Sequence, residues 1–421
     1  MKKLLLSSLV LGALWSCNDS DDIVNNQDVN YSKLPQEFPF TTVATVNGVA
    51  VINGGFGSGA TAHPTRKGEF YVITDRGPNT AYLDGIKFLI PNFTPTIMHF
   101  KINAEGNIEV LKYIKLKNPS GQPITGLPNP QGLGSTGEIA YGVNGNVLGT
   151  DNYGLDSESI VAAADGTFWV SDEYGPHIVH YNADGVEMER ISPIGVNTGN
   201  RKLPAVFAKR RPNRGMEGMC MTPDGKMLVG TMQSTMYVPT KVLATNTTLT
   251  RIVTFDLATG QTKQYLYKQD GGASDSVCDI TAISNNEFLV IERDGKFGSQ
   301  GGLKKVYKIN LTGASDVNGP DLAAVDGLKI NGKALEQSTW AEIAAAGLLP
   351  VSKTLAVDLV AKIGYEHDKF EGIVYLGGNK LAVFNDDDFG VTDDGNGNPK
   401  AKILPKTGKV DKGTMYVVDI Q

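Results

Sequence analysis

The chain is poor in cysteine, histidine and helical periodicity, and it has neither a basic tract nor a long apolar run. Three cysteines and five histidines in 421 residues, none at Cys/His metal-ligand spacing, exclude a zinc-finger-type centre. Lys and Arg number 39 against 45 Asp and Glu, a formal charge of −6 spread along the chain, so nothing builds the positive stripe that nucleic acid requires. The absence of a G-x-S-x-G elbow removes a serine esterase of the α/β-hydrolase kind. No Walker or dinucleotide loop stands between a strand and a helix. Helical patterning is confined to residues 338–349 (STWAEIAAAGLL), with Ser338 as N-cap and a stop at Pro350, and to residues 359–364. Bundles and coiled coils are thereby excluded.

What the chain does have is turn residues and short β-branched or aromatic runs. Gly and Pro, 49 and 20 residues, together make about 16% of the chain against roughly 12% in average proteins. Between Gly, Asn-Gly and Asp-Gly turns lie five similar runs, YVITD at 71, TFWVSD at 167, KMLVGT at 226, EFLVIE at 287 and KLAVFND at 380. The last four follow an acid that opens another short strand: Glu158, Glu217, Asp279 and Glu371. The separations are 14 residues from Glu158 to Asp172, from Glu217 to Thr231 and from Glu371 to Asn385, and 13 from Asp279 to Glu292. Hairpin turns fall between, so both ends of each hairpin meet at one place. A four-stranded unit recurring near every 60 residues predicts an all-β fold, a β-propeller with five clear blades and a sixth expected, carrying a helical insertion near 336–365. Strand 414–420 is expected to close the ring on residues 41–46.

The N-terminus, MKKLLLSSLVLGALWSC, carries two lysines and an apolar core from Leu4 to Trp15, too short for the roughly 20 residues a bilayer span needs. Residues 1–16 read as a lipoprotein signal peptide with Cys17 as the lipidated residue, and 17–36 as a disordered tether. An outer-membrane lipoprotein, periplasmic or surface-exposed, follows, held to the membrane by its lipid alone and monomeric. Residues 37–421 form a single domain. Cys220 and Cys278 sit in apolar strands, as buried thiols or an inter-blade disulfide.

Acids at both ends of several hairpins converge on the propeller mouth, where they cannot all stay ionised uncompensated. Glu158, Asp172, Glu217, Glu371, Asn385 and Asp386 are the expected metal ligands, for Ca²⁺, which takes carboxylate and carbonyl oxygens. Glu173 and Glu292 are candidate water-activating acids and His177 a candidate base. Arg76, Arg214 and Arg293 are candidate forks for an anionic group, with Asp75 and Asp279 contacting substrate.

Six ordered motifs carry a family resemblance: Asp75-Arg76-Gly77-Pro78-Asn79, Leu155-Asp156-Ser157-Glu158, Val170-Ser171-Asp172-Glu173-Tyr174-Gly175-Pro176, Asn213-Arg214-Gly215-Met216-Glu217-Gly218, Glu292-Arg293-Asp294, and Phe370-Glu371-Gly372 with Asn385-Asp386-Asp387-Asp388. In these the chain resembles the phytase-like proteins, described by an esterase-like activity of phytase. The resemblance implies a propeller that hydrolyses phosphoesters or carboxylic esters of small substrates. A non-enzymatic module that binds a glycan, peptide or phosphorylated ligand at the same mouth is the alternative.

Overall fold

The computed structural model describes residues 29–194 and 201–421; the signal peptide and Cys17 lie outside them. Five four-stranded antiparallel sheets form in chain order. Sheet 1 comprises Gly59–Ala62, Glu69–Ile73, Thr96–Ile102 and Ile108–Lys115. Sheet 2 comprises Ser157–Ala162, Phe168–Asp172, Ile178–Tyr181 and Glu187–Ile191. Sheet 3 comprises Met216–Met221, Met227–Met232, Leu249–Asp256 and Thr262–Lys268. Sheet 4 comprises Ser276–Ala282, Glu287–Arg293, Lys304–Asn310 and Ser352–Asp358. Sheet 5 comprises Phe370–Gly377, Lys380–Asn385, Thr414–Asp419 and Gln36–Glu37.

The first strands touch in the order 1–2–3–4–5 and then 5–1. Each neighbouring pair of sheets encloses its own apolar cluster. Side chains alternate along a strand, so Val170 packs toward sheet 1 with Ile73 and Ile97, and Trp169 toward sheet 3 with Met219 and Val253. Sheets 3 and 4 share Val229, Ile252 and Val290, sheets 4 and 5 share Leu289, Ile291 and Val383, and sheets 5 and 1 share Phe384, Phe70 and Val72. Full burial of side chains like these contributes about 1.5–3 kcal/mol each. The inner strands approach backbone to backbone: a Cβ on Gly59 would lie 2.5 Å from Ser159 Cα, and one on Gly218 2.2 Å from the Cys278 carbonyl oxygen.

The sequence expectations need four corrections. A sixth four-stranded sheet is absent among the described residues; the 79–151 region instead forms a three-stranded sheet of Asn79–Tyr82, Gly85–Phe88 and Ile139–Tyr141. Ring closure is made by Gln36 and Glu37, paired with Met415 and Thr414, rather than by residues 41–46. Those residues fold back on Val49–Ile52 through Asn47-Gly48, both at positive φ, because an Asn-Gly pair makes the tightest local hairpin. The tether ends before residue 36: Val29, Tyr31 and Leu34 pack on the cluster between sheets 5 and 1. Lastly, the helix N-cap is Thr339, in a capping box with Glu342, and the helix is only Trp340–Ala345. Cys220 and Cys278 are free, buried thiols.

The N-terminal residues run along the hairpin turns of sheet 1. Asn30 Nδ2 donates to the Ala104 carbonyl oxygen at 3.4 Å and Lys33 Nζ to Asn107 Oδ1 at 2.9 Å, while Val29 lies against Gly68. These turns are at the opposite strand ends from Asp75. Among the described residues no helix is long and apolar enough to cross a membrane.

Candidate active site

In sheets 2, 3 and 5 the pairing of the first two strands slips by one residue. Register passes from Ser157↔Asp172 to Ser159↔Ser171, from Met216↔Met232 to Gly218↔Thr231, and from Phe370↔Asn385 to Gly372↔Phe384. The residues left unpaired are Glu158, Glu217 and Glu371. A bulge bends its strand and re-aims the extra side chain, and all three glutamates line one cavity of about 220 Å³. Sheet 4 slips between Val277↔Glu292 and Ile280↔Val290, so Cys278 holds the place of the three glutamates. Two residues back along each strand, on the same face, Asp156, Ser276 and Lys369 also line the cavity, as do Glu173, Gln233 and Arg293, each directly after its second-strand end position.

One wall is acidic. Asp156, Glu158 and Glu173 each place a carboxylate oxygen within 4.8 Å of the others. Burial, with Glu217 and Asp156 nearby, pushes the carboxyls of Glu158 and Glu173 well above the usual range. Arg76 closes this wall, its Nη1 lying 3.2 Å from Asp156 Oδ2 and 3.0 Å from Glu138 Oε2 and donating to Asn213 Oδ1 at 2.9 Å. Burial works against that guanidinium's charge, but Asp156 and Glu138 hold its pKa well above normal. Asp75 lines the rim, accepting from the Gly77 N–H at 2.8 Å.

Three further cations line the cavity. Arg214 donates to the backbone carbonyls of Asp275 (2.9 Å) and Ser274 (3.3 Å) and has no carboxylate ion partner among the described residues. Arg293 bonds Glu371 through Nη2, while its Nε is buried without a partner. Lys369 Nζ sits 2.8 Å from Asp386 Oδ2 and 2.7 Å from Asp388 Oδ1. The Cys278 thiol donates to Glu217 Oε1 at 3.5 Å.

Several residues expected at the mouth are elsewhere. Asp172 is fully buried, accepting from the Asp156 N–H (3.0 Å) and the Gly175 N–H (2.7 Å), and its Oδ2 is 3.0 Å from His177 Nδ1. Burial opposes its ionisation, yet His177 and these donors hold its pKa below the ordinary value. His177 is also fully buried and lines no part of the cavity; burial keeps its pKa below the usual imidazole value, despite Asp172. It orients a loop and is not positioned as a base. Strand alternation turns Glu292 to the face opposite Arg293, where its Oε1 accepts from Tyr267 Oη at 2.6 Å, its Oε2 accepts from the Asp270 N–H at 3.0 Å, and Lys353 pairs with it. Asn385 accepts from the Thr414 N–H at 2.8 Å and donates to Asp411. Asp386 is buried behind Lys369, and its Oδ1 accepts from the Asp388 N–H. Asp279 lines no part of the cavity; its Oδ1 accepts from Ser159 Oγ and its Oδ2 from the Ile373 N–H, both at 3.0 Å, so both its oxygens are spent on sheets 2 and 5. The cavity residues with no role assigned from sequence are Asn79, Asp156, Asn213, Gln233, Ser276, Lys369 and Asp388.

The arrangement defines a class first, an all-β ring of small sheets with a carboxylate and arginine cavity at one end. The chain belongs to the Phytase-like family, described as esterase-like activity of phytase, which matches residues 52–389. An uncharacterized secreted protein of Arthroderma benhamiae is 26% identical over 314 aligned positions, covering 58% of this chain and 60% of that one; the chain thus spans under two thirds of that relative. Among solved structures, a PQQ-bound aldose sugar dehydrogenase from Streptomyces coelicolor is 10% identical with a TM-score of 0.34, covering 92% of this chain and 100% of that one. A virginiamycin B lyase from Staphylococcus aureus is 13% identical with a TM-score of 0.33, covering 90% and 98%.

Proposed function

We propose that the protein is an extracytoplasmic phosphoester hydrolase on a five-bladed β-propeller, with a Ca²⁺-dependent site at the channel mouth. The observation that carries this reading is the lining of the cavity: all fifteen residues are polar or charged, seven of them carboxylates and four cationic. A carboxylic aryl or acyl ester needs an apolar wall for its non-reacting part, and this cavity has none. A phosphoryl group needs cationic forks and a counter-cation, and both chemistries are provided for.

The donor set fits a hard cation. Asp156, Glu158 and Glu173 offer only oxygen, and the lining carries a formal −3, which a divalent ion offsets. When bound, such an ion neutralises charge on phosphoryl oxygens. Asp156 and Glu158 would hold it. Glu173 accepts the proton of the attacking water, and Arg214, Arg293 and Lys369 bind and orient the non-bridging oxygens. Secretion of the Arthroderma relative supports a place outside the cytoplasm, and membrane attachment at Cys17 is the reading of the N-terminal sequence.

The test is a panel of p-nitrophenyl phosphomonoesters and phosphodiesters, aryl esters and lactones, assayed with Ca²⁺ and with chelator. Hydrolysis confined to the phosphoesters, lost with chelator and in Glu158→Gln and Glu173→Gln, is expected. Turnover of aryl esters alone overturns the phosphoester assignment. No turnover, with tight binding of a phosphorylated ligand, leaves the protein a binding module.

A further inference from the structure

We propose that Glu217, Cys278 and Glu371 form a second cation site, selective for a thiophilic divalent metal such as Zn²⁺ and distinct from the all-oxygen set at Asp156, Glu158 and Glu173. One donor atom from each of the three lies within 4.8 Å of the other two, and all three side chains are buried. Glu217 supplies the independent sign of a ligand: it is 2% exposed, and its Oε2 has no hydrogen-bond partner among the described residues. An orphaned carboxylate oxygen at such depth is costly unless something binds it.

The fold explains why the donor set is mixed. Bulges in sheets 2, 3 and 5 present glutamates, whereas the equivalent bulge in sheet 4 presents Cys278. Replacing one carboxylate by sulfur moves preference from Ca²⁺, which takes oxygen, toward Zn²⁺ and its neighbours, which take thiolate well. Three protein donors leave a further coordination position open, as catalytic zinc sites do. Arg293 bonds Oε1 of Glu371, so a cation shares that residue through its other oxygen. On binding, the thiol gives its proton to solvent and the S–H bond is replaced by a sulfur–metal bond, with no change in oxidation state. Cys220 packs in the apolar cluster between sheets 3 and 4 and is no part of this site.

The probe is Co²⁺ added to the full-length, chelator-stripped protein, read by the near-ultraviolet thiolate-to-cobalt charge-transfer band. The band is expected in the wild type, in Cys17→Ser and Cys220→Ser, and with Ca²⁺ in excess. It is expected to vanish in Cys278→Ser and Cys278→Ala, with Zn²⁺ affinity falling by at least roughly tenfold. The wild-type spectrum decides even if a variant misfolds: no Co²⁺ binding, or binding without the band, overturns the proposal, as does a band that survives loss of Cys278. Asp156→Asn separates the two sites. A cobalt band that persists there supports the second site even if the phosphoesterase reading fails, and one that disappears means a single shared site and overturns it.

Discussion

The hairpins carry two rows of polar residues, and the two rows have opposite fates. Glu158, Glu217 and Glu371, on the bulged first strands, face the cavity. Asp172, Glu292 and Asn385, at the second-strand ends, face away and are consumed in holding loops and neighbouring strands. Both rows are buried and both are acidic or amide. The difference lies in partners: the second row is hydrogen-bonded to backbone N–H, tyrosine, histidine and lysine, whereas burial and the surrounding carboxylates raise the pKa of Glu158, and burial raises that of Glu217 against the pull of Arg293. A buried acid whose partners favour its charge stabilises the fold, and one whose neighbours oppose it is poised for something else.

The sharpest break between the rows is in rate. Glu158→Gln or Glu173→Gln is expected to reduce phosphoester turnover by about 10²–10³-fold, with urea midpoints close to wild type. Loss of stability comparable to a core mutation, with activity retained in the folded fraction, would merge the two rows. Next, Asp172→Ala removes the acceptor for the Asp156 and Gly175 N–H groups and the partner of His177. Equilibrium denaturation should show a loss of about 3–5 kcal/mol, the cost of breaking a buried pair.

A third contrast is in pH. Asp387 accepts from the Gly55, Phe389 and Gly413 N–H groups, yet burial and the adjacent Asp386 raise its pKa from 3.8 to about 7. The folded state therefore holds a proton that the unfolded state has released between about pH 4 and 7. Its contribution to stability falls as pH rises through that window, by up to about 1.4 kcal/mol per pH unit, and levels off above 7. Asp172, with its pKa lowered, acts in the reverse sense, contributing stability above the unfolded value that is lost as pH falls through the folded one. Denaturant midpoints between pH 5 and 8 should show a shallower fall in Asp387→Asn than in wild type; an unchanged slope assigns the titration elsewhere. The smallest effect is at Glu292→Gln, which weakens contacts to Lys353 and Tyr267. It is expected to cost about 1.5–3 kcal/mol and to leave turnover within twofold, so a large drop in rate would return Glu292 to the site.

The hairpin repeat and its turns were legible because each is a local signal: Asp165-Gly166 and Asp224-Gly225, for example, have glycine at positive φ. Half of the site was legible for the same reason. The other half rests on facing. Asp156 and Lys369 lie two residues before Glu158 and Glu371, and period-2 alternation puts them on the same side; alternation equally turns Glu292 away when Arg293 faces in. The 13-residue spacing from Asp279 was the trace of a one-residue misalignment, since Cys278 to Glu292 restores 14. Glu138 comes from a loop whose path depends on distant packing, and nothing in its local sequence marks it.

The course of residues 29–33 along the hairpin turns of sheet 1 sets the end at which the chain enters the ring. The chain joins the ring at the end remote from the cavity, so a tether that leads back to an anchored Cys17 would hold the protein by its base. The mouth would then look outward, sampling solutes that diffuse past rather than the headgroups of the bilayer beneath it.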